Sequence, residues 1–191
     1  MQTDLSKLLA ISAARHSHLC PRQVLGVRIG LAGLESIGVN LPAQKRQALA
    51  ILESDGCFAD GVEAATQCTV GLRTMRIEDY GKIAAAFINL ETGAAVRAAP
   101  RRDIRQRADW LAPETDSHYA AMLQAYQVMP VDELLVITPI RLRQPLEAII
   151  SQAGLRAVCS RCGEEVFNQR EVVLDGMVLC KTCTGVGYYR L

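Results

Sequence analysis

Neither sign of charge is in surplus in this chain. Lys plus Arg is 21 and Asp plus Glu is 20, a formal net charge of +1. Nucleic acid and anionic membranes call for a basic surplus or a basic stripe, so the balance speaks against both partners. Long apolar runs are missing too. The most hydrophobic stretch, Leu134 to Ile140, is strand-length, far short of the roughly 20 apolar residues that span a bilayer. The opening Met1-Gln-Thr-Asp-Leu-Ser-Lys7 lacks the basic-then-apolar layout of a secretory signal. The reading is therefore a mature start and a cytoplasmic protein. No repeat runs along the chain, and no cofactor fingerprint is present. Gly26, Gly30 and Gly33 fall at G-x-x-x-G-x-x-G, which matches neither the Rossmann nor the P-loop pattern.

What is present is a sizeable core. Half of the 191 residues are hydrophobic, which excludes a disordered chain and suits one ordinary domain with a small appendage. Apolar residues at helical spacing predict helices over 4–15 and from Val24 to about Ile37, the second started by Pro21 and stopped by Gly38. Three glycines inside that second helix would each cost about 1 kcal/mol on an exposed face, so they predict another backbone packed very close. Ala48–Glu53 reads as a buried strand, Asp55-Gly56 as a turn and Phe58–Gln67 as a helix. A strand over Leu72–Ile77 and a hairpin from Ile83–Leu90 through Thr92-Gly93 to Ala94–Ala98 follow. Helices over Asp103–Trp110 and Ser117–Val128, a break at Pro130 and a strand over Leu134–Ile140 complete the core. The expected class is α+β, a mixed or antiparallel sheet with packed helices, over 1–145. Residues 146–191 are expected to hold a connecting segment (Leu146–Gly154) and a small ribbon.

Seven cysteines are many for a reducing compartment, and an odd number cannot all pair within one molecule. Metal binding or thiol chemistry is the better expectation. Four of them, Cys159, Cys162, Cys180 and Cys183, form C-x2-C, seventeen residues, C-x2-C. Two such tight turns present four sulfurs to one ion, the pattern of a closed structural zinc site. A redox C-x-x-C pair should sit beside a βαβ pattern, which is not found here. Gly163 stands where the first turn calls for positive φ. From Arg156 onward five basic residues face four acidic ones, so a nucleic-acid role has no basic face to support it.

The other three cysteines lie before residue 70. His16, His18 and Cys20 are two apart, a spacing that puts side chains on one side of an extended segment. Cys20 precedes a helix start, where the dipole favours thiolate. Cys57 follows a strand and turn and precedes a helix, and Cys68 falls near that helix's end. A metal or thiol site stands against the simpler reading that a free cysteine only packs.

These residues resemble a known family. His16-Ser-His-Leu-Cys-Pro21 with Leu25-Gly-Val-Arg-Ile-Gly30 is similar to the opening motif of the FmdE family, which takes its name from formylmethanofuran dehydrogenase. Glu53-Ser-Asp-Gly-Cys57-Phe-Ala-Asp60, Thr66-Gln-Cys68-Thr-Val-Gly71 and Tyr80-Gly-Lys82 continue the likeness, and the closing ribbon fits it. The resemblance implies an α+β core with a second metal ion, zinc before iron, nickel or copper, held by His18, Cys20 and Cys57, with His16 and Cys68 close by. It also implies a homodimer and an association with a molybdenum- or tungsten-dependent formylmethanofuran dehydrogenase in one-carbon metabolism. Arg22, Gln67 and Glu63 depart from the family pattern, and Arg22 and Glu63 would bring charge near the pocket. Lys82 and the run Arg97, Arg101, Arg102, Arg105 and Arg107 could face an anion, although solvated surface charge is the simpler reading. Three functions stay open: an accessory metal protein, a metal-dependent enzyme acting on a small substrate, and a zinc-ribbon regulatory or interaction protein.

Overall fold

The computed structural model describes residues 4–40, 46–150 and 152–189. Ser151, in the expected connecting segment, and Arg190, counted among the tail's charges, lie outside them. The chain divides into two compact units, Met1–Arg141 and Leu142–Leu191. The sequence-based division at 145/146 falls a few residues further on.

In the first unit, helix α1 (Leu5–Ala13) starts on the side chain of Asp4, which accepts from the Ser6 N–H. Helix α2 (Pro21–Ser36) is buried almost all round, as befits a central helix with apolar residues on every side. It ends as its glycine predicts. Gly38 adopts φ +71°, and the Gly38 and Val39 N–H groups donate to the Glu35 and Leu34 carbonyls. Strand β1 (Ala48–Leu52) runs into helix α3 (Cys57–Thr66) through a tight turn. Strand β2 (Met75–Ile77) follows, then the hairpin of β3 (Ala85–Asn89) and β4 (Ala95–Pro100). Helices α4 (Ile104–Leu111), α5 (His118–Val128) and the single-turn α6 (Val131–Leu134) lead into β5 (Leu135–Pro139).

The sheet order is β2-β1-β3-β4-β5. β1 pairs with β2 in parallel, and every other neighbour is antiparallel. This is the expected α+β class with a mixed sheet. α2 packs against α3, α5, β3 and β4, while α1 lies against α2 and α3. Val24, Val27, Ile29 and Leu34 of α2 meet Phe58 and Val62 of α3 and Phe87 of the sheet, all fully buried. Each contributes about 1.5–3 kcal/mol by leaving water.

The glycines of α2 serve the contact that their spacing predicts. A Cβ on Gly26 would overlap the Phe58 carbonyl, and one on Gly61 would overlap the Gln23 carbonyl. A Cβ on Gly30 would lie 2.8 Å from the Ala65 Cβ. Gly26 meets Gly61 and Gly30 meets Ala65, so α2 and α3 run parallel with their backbones in contact. Their N-termini therefore lie side by side.

The second unit carries the short helix α7 (Leu146–Ile149) and two hairpins. Strands β6 (Arg156–Val158) and β7 (Glu165–Phe167) form one, and β8 (Val172–Leu174) and β9 (Met177–Leu179) form the other. Among the described residues no helix is long and apolar enough to cross a membrane.

Candidate functional site

Each hairpin of the second unit carries one cysteine pair. Cys159 and Cys162 sit in the turn between β6 and β7, and Cys180 and Cys183 follow β9. The four sulfurs lie within 4.8 Å of one another. Cys162 Sγ and Cys180 Sγ are 3.9 Å apart. Zn–S bonds of about 2.3 Å in a tetrahedron put sulfurs about 3.8 Å apart, so the cluster has the dimensions of a zinc site. Gly163 takes φ +76° and its N–H donates to the Cys159 carbonyl, closing the first turn as expected. The Ser160 N–H donates to the Val178 carbonyl and so joins the first turn to β9. Backbone N–H groups of Cys162 and Cys180 pull the Cys159 thiol down to about 6, towards the thiolate that a metal takes. Burial and the other three thiols push Cys183 up to about 12. One cluster with its first proton loosely held and its last tightly held is what a dication would discharge.

In the first unit the paired N-termini of α2 and α3 bring two cysteines together. Cys20 caps α2 in an extended conformation, with Pro21 at the first helical position. Its N–H donates to Gln23 Oε1 at 2.7 Å. Gln23 is fully buried, and its Nε2 donates to the Ser12 carbonyl at 3.0 Å, which ties the cysteine to the end of α1. Cys57 is the first residue of α3, and Gly56 before it has φ +68° and ψ −149°, a conformation open essentially to glycine alone. The Cys57 thiol is hydrogen-bonded to that of Cys20. Burial pushes the Cys57 thiol up, and its neighbour adds to the shift. At Cys57 these effects outweigh the pull of the helix start.

The other expected ligands separate. His18 is exposed on the cleft described below. His16 turns to the flank of α3, with Nε2 2.5 Å from Asp60 Oδ2. Ser17 between them takes φ +60°, so the segment is not evenly extended and the two rings lie 6.4 Å apart. Arg15 joins the same flank, 2.8 Å from Glu63 Oε1. Cys68 lies in the hydrophobic core, its Sγ 3.7 Å from the Ala48 carbonyl, and burial pushes its thiol up. Among the described residues, only the ribbon cysteines bring three or more His, Cys, Asp or Glu donors within 4.8 Å of one another. The core therefore offers two adjoining thiols, with His18 on the same wall.

Cys20, Cys57 and His18 open onto a cleft of about 990 Å³. Ser54, Tyr119 and Tyr126 share its lining, and none of them stands out in the sequence. Burial raises the Tyr119 phenol, and Cys20 and Cys57 add to the rise, which puts this hydroxyl in the field of the two thiols. Burial also drives Tyr126 up to about 12. Of the charged residues weighed from the sequence, Arg22, Lys82, Arg101, Arg102 and Arg105 line the cleft. Arg97 instead forms a two-pronged pair with Glu53 at 2.5 and 2.7 Å, and Arg107 pairs with Asp103 at 2.7 Å.

The family model described as FmdE, molybdenum formylmethanofuran dehydrogenase operon, matches residues 15–136. The chain belongs to the FmdE family. Its tail matches the prokaryotic dksA/traR C4-type zinc finger over residues 154–186. With the four-cysteine cluster, this makes the chain a metal-binding member of the FmdE family. A probable S-adenosyl-L-methionine-binding protein of Archaeoglobus fulgidus is 35% identical over 99 residues. That match takes in 50% of this chain and 27% of the relative, so the chain spans about a quarter of that protein's length. The crystal structure of an FmdE-like protein of tungsten formylmethanofuran dehydrogenase, from Syntrophus aciditrophicus, superposes with a TM-score of 0.60 at 20% identity. The match covers 98% of this chain and 96% of that one, and it shows a shared fold.

Proposed function

We propose that this FmdE-family chain holds two metal ions, a structural zinc in the ribbon and a second ion, zinc before other metals, at Cys20, Cys57 and His18. The observation that carries the core site is the thiol pair at two adjoining helix N-termini on the wall of an open cleft. Two thiolates and one imidazole are a zinc donor set that leaves a fourth position free. Such an ion supplies Lewis-acid polarisation of a bound water or carbonyl. His16 and Cys68 serve in this reading as neighbours, His16 through Asp60 and Cys68 by packing.

The family's description sets the chain beside a molybdenum formylmethanofuran dehydrogenase operon. An accessory role to that molybdenum or tungsten enzyme, or in related one-carbon metabolism, is the reading we adopt for its biological setting, with a homodimer as the working unit. One observation favours a metal-dependent enzyme as the second reading. A volume of about 990 Å³ beside the thiols is enough for a small-molecule substrate.

Elemental mass spectrometry of the intact chain tests the metal assignment. Wild type should carry two metals per chain, Cys57→Ser should carry one, and the ribbon variant Cys162→Ser should carry one. Full core-metal occupancy in Cys57→Ser would sink the ligand assignment. Light scattering of the same samples checks the dimer.

A further inference from the structure

We propose that the cleft of the first unit is a binding site for a small polyanion, a multiply phosphorylated or multiply carboxylated molecule with an apolar portion. The inference deepens the reading above by naming the class of ligand, and rests on it only for the claim that this ligand reaches the core metal.

Three independent features of the cleft point the same way. The first is uncompensated charge. Arg22, Lys82, Arg102 and Arg105 line it, and none has a carboxylate within ion-pairing distance among the described residues. Arg97 and Arg107, in the same stretch of chain as the last two, are paired. The contrast isolates the cleft cations as the unspent ones. Two lining carboxylates, Asp55 and Asp79, oppose five cations once Arg101 is counted.

The second feature is the backbone. The first turns of α2, α3 and α4 all border the cleft, through Pro21, Cys57 and Ile104. Each helix start carries partial positive charge from unpaired N–H groups, and three around one cavity add.

The third feature is an orphan donor. Ser54 lines the cleft and is nine-tenths buried, yet its hydroxyl has no hydrogen-bond partner. Buried hydroxyls are normally satisfied, and an orphan facing a cationic cavity is a donor waiting for an acceptor. Leu25, Ile83 and Met122 give the cleft an apolar side as well. A bare inorganic ion would leave that side and much of the volume unused, whereas a cofactor-sized molecule would fill both.

Isothermal titration of the full chain at low ionic strength tests this. The probes are tripolyphosphate and butane-1,2,3,4-tetracarboxylate, with erythritol and spermine as neutral and cationic controls. Saturable one-to-one binding of at least one anion, and of neither control, is expected. The tighter of the two anions identifies the phosphate or the carboxylate source. The double variant Arg102→Glu, Arg105→Glu should weaken binding by about tenfold or more, the usual effect of losing charge-assisted hydrogen bonds. Ser54→Ala, with no change of charge, should weaken it by a smaller but measurable factor. Circular dichroism checks that each variant folds, and Lys82→Ala stands in if the double variant does not.

No saturable binding of either anion overturns the proposal, as does binding that both the charge and the Ser54 variants leave unchanged. Tighter binding of a single-stranded oligonucleotide that ignores the cleft variants would overturn it in favour of a nucleic-acid surface. The same titration on Cys57→Ser separates the two readings. Anion binding retained there while the core metal is lost supports both. Anion binding retained in a chain that never takes up a core metal removes the metal assignment alone.

Discussion

Gln23 shows how one buried amide can set a cysteine. Its two ends satisfy the Cys20 N–H and the Ser12 carbonyl, so Gln23→Leu would strand two buried backbone groups. A loss of about 2–4 kcal/mol in urea unfolding is expected from two such unsatisfied groups. Glu53 offers a pH test. Its pair with Arg97 holds its carboxyl below the ordinary range, so folding gains from ionised Glu53. The gain is present above the unfolded carboxylate range and is lost as pH falls through the lowered folded value. Thermal melts of wild type and Glu53→Gln should therefore differ most near neutrality and converge below about pH 4, where carboxylates protonate. Of the site residues, Cys20 and Cys57 were legible because cysteine before a helix is visible in a string of letters. Gln23 and Ser54 were not, because their roles depend on burial against segments distant in sequence.

Among elements, the α2–α3 pair governs the rest. Gly61→Ala would drive a methyl into the Gln23 carbonyl, and neither backbone can yield without parting the helices. Equilibrium unfolding should show a loss of about 3 kcal/mol, the upper end of overpacking costs, and core-metal retention should fall with it. The glycine spacing announced this contact before the partner was known, since three glycines in a helix have few other uses. The β3–β4 hairpin and the isolated strand β5 were equally legible from turn residues and from an apolar run. The parallel pairing of β2 with β1 was not. β2 is only Met75–Ile77, and no local signal states which edge so short a strand will join. The cleft was invisible for a similar reason, because its walls come from α2, α3, α4, α5 and the loops between elements.

At the scale of the whole molecule, the two units should respond differently to loss of metal. The ribbon is built of short hairpins with few buried residues, Cys159 and Leu179 being the enclosed ones among those described. Its folding energy must come largely from its ion, which contributes about 10–16 kcal/mol in zinc-finger peptides. The first unit has a core of its own. Chelation of the full chain should therefore broaden the amide resonances of 155–189 while those of the five-stranded sheet stay dispersed. Loss of dispersion throughout would refute this independence. The ribbon was the most legible feature of all, because four cysteines at fixed spacing state both the ligands and their geometry.

The glycine seam also makes the pair of helices a ruler. With no side chain between α2 and α3, the separation of Cys20 and Cys57 is a property of peptide backbone alone. Exchanges elsewhere in the core, a leucine for a methionine or a valine for an isoleucine, can redistribute volume without resetting that distance. Saturation mutagenesis scored by metal content should therefore give a bimodal map. Most core positions should be broadly permissive, and positions 26 and 61 should admit nothing larger than hydrogen.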